Sequence, residues 1–166
     1  MIRNKILIIL LALLPVLGLS AQNNNPADDI CGTYRVESPV SDDIVKIKIY
    51  RATNGKYQGK FVWLSKPNNP DGTPRTDVKN PDPKKRNRTA DQIVAVWNLT
   101  YKNGEWVEGL IYDPTSGNTY GLKGKKGKNG KDMEMRYYVK KPIFGLTTTW
   151  TRENSTSRCS CSILFT

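Results

Sequence analysis

The 166-residue sequence contains no histidine. That excludes Ser-His-Asp triads, imidazole general bases and His-based metal sites. It also lacks a Gly-x-Ser-x-Gly element and a phosphate-cradling glycine loop. Gly121, Gly124, Gly127 and Gly130 recur at intervals of three, but they alternate with lysines between two strand-like runs and make no dinucleotide fingerprint. Beyond the first 21 residues there is no helical periodicity and no long apolar run. The expected fold is therefore all-β, and the mature chain is expected to have no transmembrane segment. The cysteines number three: Cys31, Cys159 and Cys161. This set is too sparse for a metal site without histidine, and neither a metal nor a cofactor is expected. It allows one bridge from Cys31 to either Cys159 or Cys161, or three unpaired thiols.

What is present begins with a leader pattern. Arg3 and Lys5 precede an unbroken apolar run from Ile6 to Leu14, and Leu19-Ser20-Ala21 offers small residues for cleavage before Gln22. This is the three-part design of a signal peptide, so residues 1–21 are expected to be removed and the protein exported to the periplasm or beyond the cell. An oxidising compartment permits a disulfide. Loss of Arg3 and Lys5 lowers the net charge from +11 to +9. The excess is concentrated in Lys79, Lys84, Lys85, Arg86 and Arg88, and again in Lys123, Lys125, Lys126, Lys128 and Lys131. Such clusters serve either as solvated turns or as contacts for an envelope polyanion. An exported protein is not expected to meet nucleic acid.

Residues 22–30 are polar and are expected to be loose. From Cys31 the chain turns into short alternating runs. Val45, Ile47 and Ile49 alternate with Lys46, Lys48 and Tyr50, the period of a strand with one dry face. Asn54-Gly55, Asn103-Gly104 and Asn129-Gly130 mark tight hairpins, and Asp113-Pro114-Thr115-Ser116-Gly117 marks another turn. These signals divide residues 31–152 into about eight strands that follow one another in space. Eight such strands close readily into an up-and-down antiparallel barrel, because closure removes both edges. A two-sheet sandwich is the alternative. Residues 65–91 form an unusually long connection, and its Pro70, Pro74, Pro81 and Pro83 predict an ordered flap over one mouth of the barrel. Residues 153–166 read as a tail outside the barrel.

Candidate site residues come from the flap and from the aromatics beside it. Asp77 can pair with Arg86 or Arg88, and Asn80 can open an Asx-turn. This local pairing competes with a clamp in which Arg86 holds an acidic headgroup. Trp63, Trp97 and Tyr112 are candidates to hold the apolar part of a ligand. Glu105, Glu108 and Asp113 could supply paired carboxylates for hydrolysis, but any hairpin of this composition supplies acids.

Several elements occur in a familiar order. They are Gly32-Thr33-Tyr34, Gly59-Lys60-Phe61-Val62-Trp63-Leu64, Asp77-Val78-Lys79-Asn80-Pro81-Asp82, Arg86-Asn87-Arg88, Ile111-Tyr112-Asp113-Pro114 and Thr149-Trp150-Thr151-Arg152. Together, over residues 31–152, they resemble the exported bacterial family called domain of unknown function 2147. The resemblance implies a lipocalin-like, calycin-type barrel and no assigned activity. It also implies that Arg152 on the last strand lies over Tyr34 on the first and closes the base. The reading that follows is an exported, non-enzymatic barrel that binds a small, partly apolar or acidic molecule or an envelope component. The alternative is a surface-interaction protein working through its basic clusters.

Overall fold

A computed structural model describes residues 25–39, 42–153 and 159. The expected leader, most of the tail and Cys161 lie outside the described residues. Eight strands form one closed antiparallel barrel in sequence order: β1 Gly32–Glu37, β2 Ile44–Arg51, β3 Tyr57–Leu64, β4 Val94–Lys102, β5 Glu105–Asp113, β6 Asn118–Lys126, β7 Met133–Tyr138 and β8 Gly145–Arg152. The barrel, rather than the sandwich, is therefore the fold. Among the described residues no helix is long and apolar enough to cross a membrane.

The turns follow from their chemistry. Asn103 and Gly104 both have positive φ, 52° and 85°, as a two-residue type I′ turn requires, and this matches the twist of β4 and β5. Alternation along each strand sends Val36, Ile47, Phe61, Ile111 and Leu122 inward. Bulges change the phase in three strands. Lys46 pairs with Trp63 but Ile47 pairs with Phe61, which leaves Val62 as an extra residue in β3. In β4, Leu99 pairs with Tyr57 but Val96 pairs with Gly59, and Asn98 between them has φ 64°. Between Trp106 and Gly109 another irregularity carries Glu108 at φ 61°. Each bulge turns the following side chains to the opposite face.

The two ends of the barrel differ. At the base, Trp106, Trp150, Tyr34, Met133 and Met135 fill the interior. Residues from Asn25 onward are packed rather than loose. Pro26–Ile30 forms a 3-10 turn capped by the Asn25 side chain, and Ala27 and Ile30 are buried. It is held because barrel side chains satisfy its polar groups. Trp106 Nε1 donates to Ala27 O at 3.0 Å, Tyr34 Oη donates to Ile30 O at 2.9 Å, and Tyr57 Oη donates to Asp28 Oδ1 at 2.7 Å. The opposite end carries the longer connections and is open.

Candidate functional site

The open end leads into a cavity of about 250 Å³ between the upper parts of the strands. Val45, Ile47, Phe61, Leu64 and Ile111 supply aliphatic and aromatic walls, and Tyr120 and Tyr137 line the same space. Val45, Ile47, Tyr120 and Tyr137 follow from strand alternation, whereas Leu64 and Ile111 each lie beyond a bulge. The extra residue in β3 brings Leu64 to the cavity and leaves Trp63 facing Lys46, whose Nζ lies 5.4 Å from the indole centroid. Tyr137 Oη accepts a hydrogen bond from Trp150 Nε1 at 3.0 Å, and burial pushes its phenol well above the usual range. It remains a neutral hydroxyl. The rim carries an ion pair in which Arg75 Nη2 meets Asp43 Oδ2 at 2.9 Å, with Arg75 Nη1 donating to Lys66 O at 2.9 Å.

The long connection is a built structure. Isolated bridges join Asn68 to Pro74 and Thr76 to Thr89. Its centre is the buried Asp77 carboxylate. Arg88 Nε reaches Asp77 Oδ2 at 2.9 Å, Asn80 Nδ2 donates to the same oxygen at 2.7 Å, and Tyr112 Oη donates to Oδ1 at 2.5 Å. Burial first, then the bond to Asp77, raises the Tyr112 phenol, which keeps it a donor. A buried carboxylate with three partners is a satisfied group, and it ties the connection to β5. Asp77, Asn80 and Tyr112 thus come together as a pin. Arg88, not Arg86, pairs with Asp77. Arg86 Nε donates instead to Asn80 O at 2.8 Å, and its side chain is exposed. Arg86, Trp63 and the half-buried Trp97 do not line the cavity. From this connection Arg75 and Ala90 do. Sequence reasoning missed Arg75, Tyr137 and the turn residue Phe144 at the mouth, for which no local signal existed beyond residue type.

Replacing Tyr112 by Phe removes one donor from the pin but keeps the ring. The expected cost is about 2 kcal/mol, the range for a hydrogen bond to a charged group. Amide exchange in residues 76–89 should accelerate while exchange at the base stays slow. Unchanged exchange there would show that Tyr112 does not hold the connection.

The acids considered for hydrolysis serve separate partners. Glu105 faces Lys123 at 3.5 Å, and Glu108 pairs with Lys102, whose hydrogen bond and charge hold the exposed carboxyl below its usual range. Asp113 caps its own turn, accepting from Thr115 N at 2.9 Å and Ser116 Oγ at 2.6 Å. The basic clusters are separated too. Residues 79–88 lie in the connection at the open end, whereas residues 123–131 lie around the β6–β7 turn at the base. In the latter, Lys125 pairs with Glu134 at 3.4 Å and Lys126 with Asp29 at 2.5 Å.

An eight-stranded antiparallel barrel, plugged at one end and hollow at the other, is a lipocalin-like barrel. The chain belongs to the family described as uncharacterized protein conserved in bacteria (DUF2147), whose model matches residues 32–152. Among solved structures it is similar to "Protein HP1028 from the human pathogen Helicobacter pylori", described as belonging to the lipocalin family. The TM-score is 0.62 at 24% sequence identity, over 75% of this chain and 82% of that one. No curated protein matches the sequence.

Proposed function

We propose that this protein is an exported binding protein whose barrel holds one small, largely apolar molecule in the mouth cavity. The observation that carries this reading is the cavity itself, walled by Val45, Ile47, Phe61, Leu64 and Ile111 above a filled base. A volume of about 250 Å³ equals roughly eight waters at about 30 Å³ each, which suits a ligand of one or two rings or a short acyl chain. The walls favour apolar atoms, and the Arg75–Asp43 pair at the rim favours a polar end turned outward. Export is supported by the leader pattern and by a disulfide between Cys31 and Cys159. The separation of the basic clusters weighs against a single polyanion-binding face, as does the dispersal of Glu105, Glu108 and Asp113 against hydrolysis.

The test is titration with 1-aminonaphthalene, an apolar fluorescent probe of suitable size. Affinity in the micromolar to millimolar range is expected, about 4–8 kcal/mol, which over the eleven heavy atoms of the probe stays well under the ceiling of about 1.5 kcal/mol per atom. Val45→Phe fills part of the cavity from a half-buried position and should weaken the probe on the order of tenfold, with little loss of stability. Probe binding indifferent to this substitution would place the ligand elsewhere.

A further inference from the structure

The turn between β7 and β8 presents an apolar surface that extends outward from the cavity mouth into solvent. Ile143 is 75% exposed and Phe144 is 70% exposed, and Val139 and Leu146 beside them are also more than half exposed. Large apolar side chains gathered at one tip are unusual on a monomer and mark contact surfaces. This tip is held firmly. Arg136 donates through Nε to Pro142 O, through Nη2 to Ile143 O at 3.0 Å and through Nη1 to Thr147 Oγ1 at 2.9 Å. Val139 N bonds Phe144 O at 3.3 Å, and Phe144 N bonds Lys141 O at 3.0 Å. A guanidinium with three partners therefore fixes Ile143 and Phe144 in solvent, where collapse onto the barrel would have hidden them.

Two further observations say what covers the tip. Lys140 and Lys141 stand in the same turn, both exposed, and neither is ion-paired among the described residues. The exposed apolar group is also continuous with the mouth, since Val139, Phe144 and Leu146 line the cavity entrance. Apolar tips flanked by unpaired lysines are complementary to an anionic bilayer surface. Rings and aliphatic chains enter the boundary between headgroups and acyl chains, while ammonium groups remain at the phosphates. We propose that the turn 139–144 docks the mouth of the barrel onto an anionic lipid surface, with Ile143 and Phe144 inserted and Lys140 and Lys141 on lipid phosphates. The docking does not depend on the cavity taking a ligand. If it does take one, the entrance faces the bilayer, and an apolar molecule can pass between them without crossing water.

The test is co-sedimentation of the protein, in the form in which it accumulates in cells, with two kinds of vesicle. One is phosphatidylcholine alone, and the other is phosphatidylcholine and phosphatidylglycerol in equal parts. The double variant I143S/F144S and the double variant K140Q/K141Q are made in the same chain, so that any retained leader contributes equally. Wild type should prefer the anionic vesicles. Each double variant should lose on the order of tenfold in partitioning to them, and the preference should shrink in the lysine variant and fall with added salt. Both substitution pairs lie at exposed positions, so thermal unfolding should be unchanged. Equal partitioning of wild type and I143S/F144S would overturn the proposal, as would equal binding to both vesicles. So would a wild type that ignores vesicles and instead self-associates, or covers the tip with its own chain, in a manner that I143S/F144S abolishes.

Discussion

Reduction of the Cys31–Cys159 disulfide is expected to cost about 4 kcal/mol and to lower the unfolding temperature by roughly 10 °C or more. The bridge spans 128 residues with Cα atoms 5.1 Å apart. Loop-closure entropy for a ring of that size approaches about 5 kcal/mol, and measured bridges in exported domains return about 2–5 kcal/mol. Its position adds to the effect. A barrel that closes in sequence order has one seam, between its first and last strands, where the partners are farthest apart in the chain. Here β1 and β2 are joined from Gly32–Ile49 to Glu37–Ile44, whereas β1 and β8 pair only at Tyr34–Arg152 and Arg35–Thr151. Glu153 N adds one bond to Thr33 O at 2.9 Å. The disulfide ties Cys31, immediately before β1, to a residue beyond β8, and so holds this short seam against opening. Cys31→Ser with Cys159→Ser should reproduce the reduced protein, with fraying first at β1 and β8 by amide exchange. Identical denaturation midpoints with and without reductant would show that the seam does not need the bridge.

Much of this arrangement was legible in the residues. Period-two patterning and the Asn-Gly turns give eight strands in order, and the closed barrel follows because it leaves no edge. Side-chain placement was less legible where the backbone departs from regular pairing. Counting alternate residues from Tyr57 and Phe61 puts Trp63 inside. The extra residue at Val62 reverses this and brings Leu64 to the cavity, and a bulge of this kind leaves no compositional mark in β3. The connection 65–91 was readable as restricted by its prolines, but not its internal partners. Asp77 had two arginines within reach, and the choice of Arg88 depends on Tyr112, which lies 35 residues away on β5 and shares the same carboxylate. Residues 25–30 look loose because they are short and polar. They are ordered by Trp106, Tyr34 and Tyr57, which meet backbone and side-chain oxygens that local sequence alone cannot pair.

Arg152→Ala is expected to destabilise the fold by about 3 kcal/mol, chiefly by uncovering the buried Tyr34 ring and leaving the acceptors of the buried Cys31 and Tyr34 without this donor. The guanidinium carbon stands 4.7 Å from the Tyr34 ring centroid. Its Nη1 donates to Cys31 O at 2.6 Å, its Nε donates to Lys131 O at 3.0 Å, and its Nη2 meets both Asp29 O and Tyr34 Oη. One side chain thereby joins the last strand, the β6–β7 turn, the 3-10 turn and the first strand. Gly32 makes room for it. A Cβ there would lie 2.3 Å from Arg152 Nη1, and φ at this residue is 149°, which L side chains rarely adopt. Arg152→Lys should recover little, because an ammonium cannot cover the ring while meeting acceptors in four directions. The same seam carries the disulfide, so the two effects should not add. Once the bridge is reduced, the 3-10 turn is held mainly by Arg152, Tyr34, Tyr57 and Trp106, and Arg152→Ala should then cost more than it does in the oxidised protein. A double-mutant cycle between Arg152→Ala and the paired Cys→Ser substitutions should give a coupling of about 1 kcal/mol or more. Strict additivity would mean that the clamp and the bridge secure different parts of the molecule, and that the base does not open as one unit.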